Sequence, residues 1–143
     1  MIKRACLSIA IAALMSAAVA AQTYEPEKGS PERKAILDAL RIPVERDLKQ
    51  PVVFNADRFT VLKNWAFVSG GPQTPKGGRP DYSNTKYRTA VDSGGFDNNF
   101  FGLLKRTAGK WKAVAVAIGC TDVCFMDWPQ KYRAPKSIFP FGE

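Results

Sequence analysis

Two cysteines with an acidic residue between them are the residues of this chain whose spacing most suggests chemistry. Cys120 and Cys124 close the segment CTDVC, with Asp122 at its centre. In an oxidising compartment, closely spaced cysteines are expected to form a disulfide, and a bridged pair needs Cα atoms within about 7 Å. Four residues of extended strand span about 13 Å, so we expect a turn that ends the preceding strand. A catalytic dithiol normally has the spacing C-x-x-C, so the pattern favours a structural disulfide.

The absence of histidine from the sequence excludes several kinds of active site. A chain with no His cannot use Ser-His-Asp or Cys-His catalysis, and it cannot bind a metal through imidazole. Two cysteines alone do not complete a metal site, so we expect neither a metal nor a cofactor. Carboxylates could still act as general bases, and Asp57 and Asp122 are the two that we consider for that role.

The first 21 residues have the layout of a secretory signal peptide. Lys3 and Arg4 precede an apolar run, and small residues follow it up to Ala21. We expect export to a bacterial periplasm with cleavage near Ala20 or Ala21. Cleavage would remove Cys6 and two of the 21 basic residues. The remaining 19 basic residues and 13 acidic residues give a net charge of +6. No second apolar run approaches the length of a membrane span.

A basic protein in the periplasm is attracted to anionic partners. The segment 71–95 carries basic residues beside two tyrosines, a composition that suits an anionic or sugar-like surface. Connections of this length are usually functional or mobile. The predicted binding residues are Lys76, Arg79, Tyr82, Lys86, Arg88 and Asp122. We expect the partner to be a protein or an anionic component of the cell envelope, and we do not expect nucleic acid.

One helix and about four strands are expected to position this loop. After a polar, flexible tail at 22–29, Ser30 is the predicted N-cap of a helix with an apolar stripe at four-residue spacing, which Pro43 should kink or divide. Two hairpins follow, with turns at 63–64 and 107–110. The stripe is Ile36, Leu40, Val44 and Leu48. The sequence therefore predicts a single α+β domain over 30–143, with the helix packed on an antiparallel sheet.

Three local features of that domain can also be predicted. The last strand alternates large and small side chains, and its alanine face is expected to lie under a helix or to line a narrow cavity. The segment TKYRTAV within the loop could add an edge strand, since Tyr87, Thr89 and Val91 alternate. Trp128 is expected in the core, at the start of a short C-terminal helical turn.

Four segments, SPERKAILDALR, NWAFVSGGPQ, KWKAVAVAIGCTDV and DWPQKY, resemble a family of small exported bacterial proteins of unassigned function. The resemblance covers nearly the whole chain after the signal peptide and implies a shared fold, but it brings no activity. The order of a helix followed by a meander is also similar, by analogy of shape alone, to cystatin-like and NTF2-like folds.

Two classes of function remain open at this point. The first and favoured class is a non-catalytic periplasmic binding or inhibitory protein, one version being an immunity protein against a toxin that attacks the cell wall. It would use the 71–95 loop and the 119–128 turn. The alternative is a small cone-fold enzyme with Asp57 or Asp122 as its general base. A buried carboxylate in a deep cavity would favour the enzyme, and a filled interior with a protruding loop would favour the binding protein.

Overall fold

The computed structural model of the chain describes residues 19–141. Its elements, in order, are α1 (Pro31–Leu48), β1 (Val53–Leu62), β2 (Trp65–Gln73), α2 (Arg88–Asp92), β3 (Phe100–Thr107), β4 (Lys110–Ile118), α3 (Trp128–Tyr132) and a 3₁₀ turn (Lys136–Ile138). The four strands form one antiparallel sheet in the order β1-β2-β3-β4. The predicted α+β arrangement is therefore confirmed. The predicted signal peptide lies outside the described residues as far as residue 18.

Helix α1 forms where the capping and apolar pattern predict it. Ser30 accepts a hydrogen bond from the backbone N–H of Arg33 at 3.2 Å, which satisfies one of the free donors of the first turn. All four residues of the predicted stripe are buried against the sheet. Pro43 does not divide the helix, because α1 runs without interruption to Leu48. Proline removes one hydrogen bond, and here tertiary packing of the stripe outweighs that loss.

The approach of α1 to the sheet depends on a glycine in β3. A Cβ built on Gly102 would lie 2.6 Å from Cδ1 of Leu40, closer than van der Waals contact allows. The missing side chain therefore makes the space that Leu40 fills. No charged or polar residue is buried among residues 19–141. The interior between helix and sheet is thus closely packed and apolar.

The second face of the sheet is covered by the C-terminal segment. The rings of Phe125 and Phe139 lie 5.1 Å and 4.9 Å from that of Phe67 in β2, and Trp128 is buried beside them. The prediction that Trp128 belongs to the core is confirmed. This aromatic cluster covers one face of the sheet and α1 covers the other, so the sheet is the middle of three layers. Both apolar faces of the sheet are therefore buried without a second sheet.

The expected alternation along β4 holds from Ala115 to Ile118 but fails at Val114, where the strand carries an irregularity. Leu103 pairs with Ala115 whereas Leu104 pairs with Ala113, so Val114 is an extra residue in the ladder. An inserted residue reverses the faces of the side chains on its two sides. As a result Val116 packs in the helix-side core, while Ala115 packs with the C-terminal aromatic cluster.

The segment 22–29 makes contacts that a free tail would not have. The backbone N–H of Tyr24 donates to Val61 O at 3.0 Å, and the N–H of Val61 donates to Tyr24 O at 2.8 Å. The Tyr24 hydroxyl donates to a carboxylate oxygen of Glu32 at 2.8 Å. This segment therefore adds a single bridge to β1 rather than hanging free. None of the described helices combines the length and the apolar character that crossing a bilayer requires.

Candidate functional site

The long loop, residues 74–99 between β2 and β3, is folded around three aromatic rings. Ring centroids are 4.5 Å apart for Tyr82 and Phe96, 5.7 Å for Tyr87 and Phe96, and 6.5 Å for Tyr82 and Tyr87. Edge-to-face and tilted arrangements at these distances are favourable beyond the apolar area that they bury. The loop therefore has a small core of its own, which joins the helix-side core of the domain.

This packing corrects two expectations about the loop. Tyr82, one of the predicted binding residues, is only 4% exposed, and its hydroxyl donates to Oδ1 of Asn98. Burial raises the pKa of Tyr82 to about 12, against an ordinary value of 10.0. The segment predicted as an additional edge strand is instead the short helix α2. Tyr87 and Val91 are four residues apart and both contact the core, a spacing that a helical turn satisfies as well.

Arg79 and Arg88 are brought together on the rim of a shallow pocket of about 220 Å³. The guanidinium carbon of Arg79 lies 5.4 Å from the centroid of the Tyr82 ring, so the buried tyrosine supports this side chain. Both arginines are exposed. Besides the two arginines, the pocket is lined by Pro80, Asp81, Tyr82, Ser83, Val91 and Asp92.

The two arginines differ in the partners they have within the described part of the chain. Nε of Arg88 lies 3.5 Å from Oδ2 of Asp92, one turn later in α2, and both side chains are 68% exposed. Arg79 forms no ion pair with any carboxylate of residues 19–141. Asp81, also on the rim, accepts a hydrogen bond from the backbone N–H of Ser83 at 2.9 Å. Hydrogen bonds from Ser83 hold the pKa of the Asp81 carboxyl below its usual value, so Asp81 stays ionised at neutral pH.

Lys86 does not line this pocket, because it is turned towards α1. Its Nζ donates to Oδ2 of Asp47 at 3.0 Å and lies 5.3 Å from the centroid of the Tyr87 ring. Burial alone would raise the pKa of Asp47, but hydrogen bonds from Lys86 and Arg46 outweigh it and lower that pKa. Lys86 therefore pairs with the helix and not with the pocket.

Lys76 and Asp122 are both exposed, and neither lies on the pocket. Lys76 belongs to the tight turn that starts the loop, which is closed by hydrogen bonds between Thr74 and Gly78. Asp122 lies in the predicted turn, which Cys120 and Cys124 close with a disulfide across a Cα–Cα distance of 6.1 Å. The disulfide is therefore confirmed, and of the predicted binding residues the structure groups Arg79, Tyr82 and Arg88.

The disulfide turn is attached to the end of the long loop. The side chain of Asn99 accepts from the backbone N–H of Cys120 at 2.9 Å and donates to Cys120 O at 2.8 Å. A Cβ on Gly119 would lie 2.0 Å from Cε2 of Phe96, so the ring rests directly on glycine backbone. The pattern Asn98-Asn99 before a strand was the signal that sequence reasoning missed, since Asn side chains commonly bond nearby backbone. The two segments predicted to bind a partner, the 71–95 loop and the 119–128 turn, are thus in contact through Phe96 and Asn99.

The carboxylates considered for catalysis lie away from any enclosed space. Asp57 and Asp122 are both exposed, and Asp57 borders only an open groove beside Tyr24 and Phe59. Over residues 19–141, no group of three His, Cys, Asp or Glu side chains could hold a metal ion. The arrangement that can bind an anion is the arginine pair, which shares its pocket with the carboxylates of Asp81 and Asp92.

Comparison of the chain with protein-family models, with curated proteins and with solved structures finds no match.

Proposed function

We propose that this protein is a non-catalytic binding or inhibitory protein of the bacterial periplasm, and that Arg79 and Arg88 bind an anionic group of its partner. The observation that carries the proposal is the common pocket that these two arginines border, with Tyr82 buried beneath Arg79. Guanidinium groups bind carboxylate and phosphate in a bidentate manner, and they do so best where the side chain is held in place.

The pocket has the size and the polar groups for one small anionic group. A volume of about 220 Å³ admits a phosphate or carboxylate but not a large ligand. The exposed pair between Arg88 and Asp92 contributes little to stability, since ion pairs in water gain about 0–1 kcal/mol. An arriving anion can therefore compete with Asp92 for Arg88, against repulsion from the Asp81 and Asp92 carboxylates that share the pocket. Arg79 needs no such exchange.

The composition of the chain supports an anionic partner in the same way. A net charge of +6 after loss of the first 21 residues attracts acidic proteins and anionic envelope components over distances comparable with the Debye length of about 8 Å. The layout of the first 21 residues favours the periplasm as the place of that encounter. One finer version is an immunity protein against a toxin that attacks the cell wall, and a neighbouring gene for an exported cell-wall hydrolase would favour it.

The exposure of Asp57 and Asp122 favours binding over acid–base catalysis. A general base usually sits in a cleft that excludes water, where burial and neighbouring charges tune it. Neither carboxylate has that setting, and the interior between α1 and the sheet is filled, as at Leu40 and Gly102. Support for the cone-fold enzyme is therefore weaker than support for the binding protein.

Titration with inorganic phosphate tests the site directly. The side-chain Nε–H signals of Arg79 and Arg88 should shift in nuclear magnetic resonance spectra as phosphate is added, whereas that of Arg133, an exposed arginine outside the pocket, should not. The variant Arg79→Ala/Arg88→Ala should abolish saturable binding, and Lys76→Ala should not. Equal shifts at all three arginines would show only general attraction to a basic surface, and that result would overturn the proposed site.

A further inference from the structure

The two edges of the sheet differ in how far they are protected. At one edge, β1 carries Asp57 and Arg58 at a break in register, and Tyr24 forms a bridge with Val61. Charged residues, irregular register and covering segments are the usual means by which natural edge strands avoid further pairing. At the other edge, β4 pairs with β3 alone, and no described backbone group outside β3 hydrogen bonds to it.

The second half of β4 has a composition that favours pairing. Lys110 and Lys112 lie at its start and disfavour pairing there. Ala113–Ile118 has no charge and no proline, and Ala113–Ala117 are all half-buried. The extra residue Val114 is the only irregularity in the ladder between β4 and β3. An edge strand leaves alternate N–H and C=O groups without a partner, so these residues offer a row of donors and acceptors to an incoming strand.

A groove runs beside this edge, beneath the outer flank of α1. Two adjoining hollows of about 350 Å³ and 230 Å³ lie between helix and strand. Ile42, an apolar residue, is 73% exposed on that flank. Because strands in a sheet lie about 4.8 Å apart, a strand added to β4 would come under Ile42 and Pro43 and bury both.

The charges around the groove favour an acidic occupant. Lys112 and Arg46 line it, and both are exposed. The one carboxylate that lines it, Asp47, already accepts hydrogen bonds from Arg46 and Lys86. A second copy of this chain would bring an equally basic surface to the same place, whereas an acidic segment would complete the charge.

We propose that the outer edge of β4 takes up an extended, acidic polypeptide segment as a fifth strand of the sheet. Backbone hydrogen bonds to Ala113–Ile118 hold the segment, alternate apolar side chains cover Ile42 and Pro43, and its carboxylates face Lys112 and Arg46. This surface is separate from the Arg79–Arg88 pocket. Binding at the β4 edge does not depend on anion binding at that pocket.

The test uses isotope-labelled protein and a synthetic peptide of nine residues, the length of β4, with alternating glutamate and valine. Amide signals of Ala113–Ile118 should shift, and the alternate amides that face the open edge should become protected from hydrogen exchange. Ile42→Glu and Lys112→Glu, both at exposed positions, should each weaken binding by at least about tenfold, because each places a negative charge in the groove. Lys28→Glu, an exposed position outside the groove, makes the same change of charge as Lys112→Glu and should leave binding within about twofold.

Four results would overturn the proposal. The first is no shift in β4 with the glutamate–valine peptide. The second is equal binding of a peptide in which lysine replaces glutamate. The third is equal binding of a peptide in which alternate residues are proline, since proline cannot pair with the edge. The fourth is self-association in sedimentation experiments that Ile42→Glu abolishes, which would make a second copy the occupant.

Discussion

The rings of Tyr82 and Phe96 pack edge to face with their centroids 4.5 Å apart, although 13 residues separate them in the loop. Phe96 in turn rests on Gly119, at the end of the sheet. Tyr82 thereby connects the arginine pocket to the domain core. We therefore expect changes at Tyr82 or Gly119 to affect the stability of the whole fold.

We expect Tyr82→Ala to destabilise the fold severely. Removing a ring that is 4% exposed leaves a cavity among Tyr87, Phe96 and the helix-side core, and aromatic-to-alanine changes in cores cost roughly 3–5 kcal/mol. Tyr82→Phe keeps the ring and loses only the hydrogen bond to Asn98, so it should cost about 1 kcal/mol. Chemical denaturation measures both values. A loss under about 0.5 kcal/mol for Tyr82→Ala would mean that the loop is not packed as described.

Alkaline pH should weaken the fold through the same residue. Burial raises the pKa of folded Tyr82 to about 12 from its ordinary 10.0. Between these pH values the unfolded chain has released a proton that the folded protein still holds, so stability that is complete below pH 10 falls as the pH rises towards 12. Denaturation should therefore show wild type more stable than Tyr82→Phe below pH 10, with a difference that shrinks and then reverses as the pH rises towards 12. A difference independent of pH would contradict the account.

Gly119→Ala should be more damaging than a matched change at another positive-φ glycine. Gly119 has φ +80 and no room for a Cβ, whereas Gly109, in the second hairpin turn, has φ +74 and no atom within 4 Å of the place that a Cβ would take. The left-handed backbone alone costs roughly 1–2 kcal/mol on substitution. We expect Gly109→Ala to cost about that much and Gly119→Ala to cost at least about 1 kcal/mol more, because Phe96 must move. Equal costs would show that the ring does not lock this position.

The disulfide should stabilise the fold without taking part in binding at the arginine pocket. Replacing both Cys120 and Cys124 with serine reopens a small ring, for which the chain-entropy estimate is roughly 2 kcal/mol. Phosphate should still shift the Arg79 and Arg88 signals in this variant. Protein exported by cells should have no free thiol before reduction, and two titratable thiols in the unreduced protein would contradict the bridge.

The order of helix and strands could be predicted because each depends on a pattern along the chain. The spacing of Ile36, Leu40, Val44 and Leu48 predicts α1, and short turns predict both hairpins. The irregularity at Val114 could not be predicted, because the sequence alternates regularly between valine and alanine on both sides of it. The inserted residue is visible only in the pairing with β3, where it exchanges the face of the sheet to which the following side chains point. Burial of Tyr82 was missed for a similar reason. Its partners Asn98 and Phe96 lie on the far side of a loop rich in glycine and proline, and no periodic pattern connects them.

Of the predicted binding residues, the structure brings Arg79, Tyr82 and Arg88 together at one pocket and places Lys86 elsewhere. Arg79, Tyr82 and Arg88 meet because the loop folds back between them, but nothing in the sequence indicates that Lys86 is paired with Asp47 of α1. That contact joins residues 39 positions apart. Long-range pairs between exposed charges carry almost no sequence signature, and charge composition alone therefore overstates the number of free cations.

Capture from periplasmic extract tests the central claim, that Arg79 and Arg88 recognise an anionic partner, most directly. Wild type, Arg79→Ala/Arg88→Ala and the matched control Lys28→Ala/Lys136→Ala would be immobilised at equal density, since both variants lose two exposed cations. We predict that wild type and the control retain the same component at physiological salt, and that the arginine variant loses it. Equal retention by all three proteins would contradict the claim.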